Sequence, residues 1–249
     1  MLEVCLQEAD KKKAALDALC PLPAALIKNL DDWLKVDLTY NSNAIEGNTL
    51  SPSETALVVE KGLTIGGKSV VEHLEAINHA YALDYIKDLV AQKNTIDNEV
   101  IKNIHNLILK KIDDAHAGKW RRVPVKIAGS SVELSDPIKV PEHMEEFEQW
   151  LIKHKEHPIK KAADAHLKLV TIHPFVDGNG RTARLLMNLI LLQHGYPLTV
   201  IKNEDRKSYI DALETAQTTG NASEFYQFVC AAVNRSLDVW LEAAAKVIT

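Results

Sequence analysis

His173-Pro174-Phe175-Val176-Asp177-Gly178-Asn179-Gly180-Arg181-Thr182-Ala183-Arg184 is the stretch on which the reading of this chain turns. Pro174 and the Gly178-Asn179-Gly180 run oppose a helix, whereas Arg181 to Leu189 is rich in helix formers. The spacing therefore predicts a tight loop entering a helix near Asn179. Two glycines let backbone N–H groups point outward, and the positive end of the helix dipole adds to them, which makes a cradle for phosphate. Arg181 and Arg184 lie on the first turn and both reach that anion. Asp177 stands just before the cradle, where one carboxylate can hold a magnesium ion that completes its shell with water and phosphate oxygens. His173 supplies a base able to take a proton from a hydroxyl attacking the bound phosphate. Base, metal ligand, anion cradle and two arginines so close together are the equipment of phosphoryl or nucleotidyl transfer.

Outward from the motif, nearly everything reads as helix. Leu2 to Ala18 has mixed charge and apolar spacing. Cys20-Pro21-Leu22-Pro23 breaks the pattern, and Ala24 to Leu38 resumes it with Leu26, Leu30, Trp33 and Leu34 on one stripe. Ser51-Pro52-Ser53-Glu54 and Ser69-Val70-Val71-Glu72 are helix starts, the first a capping box with Pro at the first helical position. Asn98 to Lys111, Pro141 to His154, Ile159 to Thr171, Glu204 to Gln217 and Ser223 to about Lys246 complete the helices. His79, His105 and His166 fall on apolar stripes and read as packing residues. The exception is 120–135, where Val123 to Ile127 and Val132 to Leu134 alternate around Ala128, Gly129 and Ser130 like a β-hairpin, with Pro124 suited to an edge.

The motif resembles, position by position, the signature HPFx(D/E)GNGRxxR of Fic-domain enzymes, and the resemblance extends over roughly residues 25 to 240. It implies an all-α Fic fold, a helical bundle with a short β-hairpin flap. Residues 1–40 would form an N-terminal helical segment packed on the core, and 41–249 the Fic domain. It implies transfer of AMP from ATP to a Ser, Thr or Tyr hydroxyl of a target protein, with Mg2+ on Asp177. His173, Asn179, Arg181 and Arg184 would be catalytic, and Gly178, Asn179, Gly180, Arg181 and Arg184 would hold the phosphates. The flap residues Ala128, Gly129 and Ser130 would receive an extended target segment. Tyr209 and Gln217 match positions that line the nucleotide base, although Gln217 stands where the family has Asn. Phosphate transfer is disfavoured, since the members that perform it depart from the Gly-Asn-Gly present here.

Upstream, Ser42-x-x-x-Glu46-Gly47 resembles the inhibitory motif (S/T)xxxE(G/N) of the class with an N-terminal inhibitory helix, in which Glu46 would pair with Arg184 and compete with ATP. The plain alternative is a short helix with Glu46 in its last turn and Gly47 as its cap. Three functional readings follow: an autoinhibited AMP transferase, a de-AMPylase in which Glu46 positions water, and a catalytically silent interaction module.

Composition sets the outer bounds. A chain of 249 residues that is 46% hydrophobic can bury a sizeable core, and a net charge of −5 provides no field for nucleic acid. No apolar run approaches the roughly 20 residues of a membrane span. Cys5, Cys20 and Cys230 are odd in number and far apart, which predicts neither a disulfide nor a zinc site and suggests a reducing, cytoplasmic location. A homodimer stays open.

Overall fold

In the computed structural model, which describes residues 1–127 and 132–248, the elements are α1 (Leu2–Ala18), α2 (Ala24–Ile45), α3 (Pro52–Lys61), α4 (Val70–Ala91), α5 (Asn98–Leu109), α6 (Val140–Lys153), α7 (Pro158–Ile172), α8 (Asn179–Gln193), α9 (Arg206–Thr219) and α10 (Ser223–Ile248). Capping explains several starts. Ser51 and Ser69 each accept from the backbone N–H three residues on, while Glu54 and Glu72 reach back to close both capping boxes. Gly62 ends α3 in the left-handed region at φ 63°.

At the centre lies α8. Its residues from Asn179 to Leu191 are nearly all buried, so the helix has no solvent face and must be enclosed by others. α7 packs along it, and α4 and α5 complete its surroundings. α1 lies along α10, and here the structure corrects the reading of the cysteines: Cys5 and Cys230 form a disulfide with Cα atoms 6.3 Å apart. A sequence separation of 225 residues hid the pairing, and the bridge removes the ground on which the cysteines argued for a reducing compartment. Cys20 is free and exposed. Among the described residues no helix is long and apolar enough to cross a membrane.

Two further expectations change. α2 does not stop near Leu38 but runs to Ile45 as one helix, with Glu46 as its C-cap and Gly47 beyond it at φ 103°. The polar residues that seemed to break it are buried with partners: Thr39 meets His79, Asn41 accepts from the Asn203 N–H, and Ser42 meets Arg184. Tertiary bonding thus overrides weak helix propensity. Within that helix Leu30 and Leu34 are buried, whereas Trp33 faces outward. In the 120–135 segment no β-strand forms among the described residues, and the expected flap residues Ala128, Gly129 and Ser130 lie outside them. A two-stranded ribbon with a proline has little ladder energy of its own. Here Arg121 links the two flanks by bonding the Val123 and Ser135 carbonyls.

Candidate active site

The motif loop is built around Phe175, which is fully buried. The His105 ring stacks on it at 3.5 Å and 5°, and Trp120 closes the other side at 4.9 Å. His105 does more than pack. The Gly118 N–H donates to its Nδ1 at 2.9 Å, so the ring hydrogen is on Nε2 and is donated to the Asp177 carbonyl, also at 2.9 Å. Burial holds this ring neutral, with its pKa pushed down to about 4. Asn179 seals the loop with both ends of its amide: Oδ1 accepts from the Phe175 N–H and Nδ2 donates to the Phe175 carbonyl, each at 3.0 Å. In this conformation both ends of the side chain are committed to the loop backbone, so that it shapes the cradle from within.

His173 terminates α7 in the left-handed region, at φ 51° and ψ 59°, a strained place for a residue with a β-carbon. Its Nδ1 lies 3.2 Å from the Val170 carbonyl. Because a carbonyl can only accept, the neutral ring carries its hydrogen on Nδ1, which leaves Nε2 as a free base. Burial lowers the pKa, and Arg121 acts in the same direction against the Val170 carbonyl, Glu46 and Asp177.

Asp177 is 69% exposed, with Oδ2 at 3.2 Å from Arg181. Arg181 is buried, and its second partner is Glu75 of α4 at 2.7 Å. Nothing in the motif pointed to Glu75. The available signal was a polar stripe on α4, where Asn78 and His79 are buried and Glu75 is half-buried. Glu75 accepts from Asn48 Nδ2 as well, at 2.9 Å, which ties the motif arginine to the residues following α2.

Arg184 is enclosed and its guanidinium is almost fully partnered. Nε donates to Ser42 Oγ at 3.0 Å, Nη2 to the Ser42 carbonyl at 2.8 Å and to Glu46 Oε1 at 2.7 Å, and Nη1 to Tyr209 Oη at 3.4 Å. The contact with Glu46 is a single nitrogen on a single oxygen, not the bidentate fork that pairing alone suggests. Burial pushes the Glu46 carboxyl up, but the Arg184 charge and hydrogen bond outweigh this and hold it below the usual range. Glu46 lies in the cradle itself, since a β-carbon added at Gly180 would collide with Glu46 Oε1 and approach Arg184 Nη1 at 3.1 Å.

The two base-lining expectations separate. Tyr209 is fully buried, with its hydroxyl 2.8 Å from His166 Nε2, so that it braces Arg184 from behind. Gln217 donates to Thr171 Oγ1 at 3.2 Å and lines a cavity of about 510 Å³ together with Trp150, Lys168 and Tyr226. His166 turns its Nε2 to Tyr209, and neither His166 nor His173 falls in a group with metal-ligand spacing among the described residues. The one group with metal-ligand spacing among the described residues, His154 with Glu156 and Asp164, already holds Lys160 between its two carboxylates.

Comparison with known proteins gives this geometry its family. The profile of the Fic/DOC family matches residues 95–191. A solved structure of Fic-1 from C. elegans aligns with TM-score 0.86 and 31% identity, covering 97% of this chain and 71% of that one. The chain belongs to the Fic/DOC family. A Fic domain containing signaling protein from Bacteroides thetaiotaomicron aligns at TM-score 0.87 and 29% identity over 96% of this Fic chain and 97% of its own. Protein adenylyltransferase Fic of Culex quinquefasciatus is 36% identical over 244 residues, which are 96% of this chain and 48% of that protein. The Fic chain thus spans about half the length of the curated relatives it matches.

Proposed function

We propose that this chain is an autoinhibited protein adenylyltransferase that moves AMP from ATP to a Ser, Thr or Tyr hydroxyl of a target protein. The observation that carries the reading is Glu46: its carboxylate fills the space over Gly180 and engages the arginine that would otherwise hold the terminal phosphate. With Glu46 withdrawn, the α8 N-terminus and Arg181 receive phosphate oxygens, and Arg184 binds the outermost group. The target hydroxyl then attacks the α-phosphorus as His173 Nε2 takes its proton. The bond from the α-phosphorus to the bridging oxygen breaks and pyrophosphate leaves. Asp177, exposed at the mouth of the cradle with its second carboxylate oxygen open to solvent, fits a magnesium ligand; the ion, when bound, would neutralise phosphate charge.

A second reading shares the site. Glu46 stays 37% exposed and commits only Oε1 to Arg184, so Oε2 can hold a water against a protein-bound AMP. In that reaction the water oxygen attacks phosphorus, Glu46 takes the water proton, and His173, entering protonated, returns a proton to the departing hydroxyl. Incubation of wild type and Glu46→Gly with α-labelled ATP and a cell extract tests the transferase reading. More label with the variant supports the autoinhibited transferase, and none with either supports a silent interaction module.

A further inference from the structure

Arg121 lies outside the motif, yet it is buried at 3% exposure with no carboxylate paired to it among the described residues. A buried guanidinium without an anion is costly unless carbonyls satisfy it. Three do: Nε donates to the His173 carbonyl at 2.7 Å, Nη1 to that of Val123 at 3.1 Å, and Nη2 to that of Ser135 at 2.5 Å. Its backbone N–H adds a fourth bond, to the Pro174 carbonyl at 2.8 Å. Arg121 therefore grips two successive carbonyls of the motif loop and one from each flank of the 120–135 segment.

His173 is the residue that needs such a grip. Its N–H is held by the Leu169 carbonyl at 2.9 Å, but its left-handed backbone persists only where the surroundings over-determine it. The opposite restraint, on its carbonyl, is Arg121. Released, the backbone would relax, the ring would leave the Val170 carbonyl, and Nε2 would no longer be singled out as the base.

We propose that Arg121 is a positioning residue that couples the segment flanking the cradle to His173, fixing the orientation and tautomer of the imidazole. The inference rests on the reading of His173 as the base, but its primary readout does not depend on activity. A lysine keeps the charge at 121 and loses the planar fork that reaches three separate chain segments, and methionine loses both.

The experiment uses the full chain with 15N-labelled histidine, as wild type, Arg121→Lys and Arg121→Met. It follows the His173 ring nitrogens by NMR, assigned with His173→Ala, and AMP incorporation in the Glu46→Gly background. The wild-type ring should show one tautomer protonated at Nδ1, and both variants a mixture. The turnover number should fall about tenfold or more, with nucleotide affinity nearly unchanged. A single Nδ1–H tautomer in both variants would overturn the proposal. If that persists while His173→Ala is inactive, Arg121 alone is refuted. If His173→Ala stays active, the base assignment fails and the tautomer result still decides Arg121. Loss of helical circular dichroism in both variants would make Arg121 a residue of the fold only, which also overturns it.

Discussion

On the proposed autoinhibited reading, Glu46 acts on the cradle by charge, through Arg184, and by volume, over Gly180; Glu46→Gln is the substitution that parts the two. The glutamine side chain has the same shape, and its carbonyl oxygen can still accept from Arg184 Nη2, so the space over Gly180 stays filled. Both side chains bond a charged Arg184, but only glutamate pairs an ion with it, so on the autoinhibited reading the loss of that charge takes the bond from the upper to the lower part of the about 1.5–3 kcal/mol span of charge-assisted hydrogen bonds and should weaken inhibition by about 1–1.5 kcal/mol. Because Glu46 is 37% exposed, solvent screening favours the lower end of that range, or roughly fivefold in the population of the open cradle. Glu46→Gly removes both effects and should release about ten- to a hundredfold. The assay is incorporation of labelled AMP by the three proteins side by side at matched concentration. Glutamine activating as fully as glycine would refute the part assigned to volume, and equal incorporation by all three would refute inhibition altogether.

Gly180→Ala places a methyl where Glu46 Oε1 and the phosphate would each have to sit, so transfer should stay lost even in the Glu46→Gly background; activity in the double variant would contradict the shared space. Asp177→Ala should weaken nucleotide binding and flatten its magnesium dependence, and an unaltered magnesium titration would remove Asp177 from the site. His79, His105 and His166 are buried, with pKa values pushed down to about 3, about 4 and about 3, against about 6.5 for an ordinary histidine. Below pH 6.5 the unfolded chain takes up protons the folded chain refuses, so stability falls with pH down to about 4. The loss at pH 5.5 is about 1.4 kcal/mol for each ring and about 4 kcal/mol together. Urea midpoints at pH 7.5 and 5.5 check this, and equal midpoints would count against it. Reducing the Cys5–Cys230 bridge, which closes most of the chain, should cost about 2–5 kcal/mol and lower Tm; an unchanged Tm in dithiothreitol would show that the bridge adds nothing.

What was legible in the sequence was what is local in it. Loop, cradle and helix start at Asn179 could be read because Pro174, Gly178 and Gly180 act on their own backbone. The capping boxes at Ser51 and Ser69 are local in the same way. What resisted reading depends on distant partners. Glu75 lies 106 residues from Arg181, and no spacing rule links them. Tyr209 was read as facing a base because its position matched the family's, yet its hydroxyl is taken up by His166 and Arg184 inside the bundle. The helical continuity of α2 through Ser42 is likewise decided by Arg184, far along the chain, and not by local propensity.

The loop from His173 to Gly178 crosses from the end of α7 to the start of α8, and that crossing sets up an electrical gradient. α7 ends in outward carbonyls, its negative pole, and a proton taken up by His173 would convert the ring to a cation there. α8 begins in outward amides, its positive pole, where an anion would rest. Each pole is worth about 0.3–1 kcal/mol at an exposed position and up to about 2 kcal/mol when partly shielded from water. The two packed helices therefore present opposite poles to one short strip of chain, and a proton moving one way and negative charge accumulating the other are both favoured before any side chain contributes.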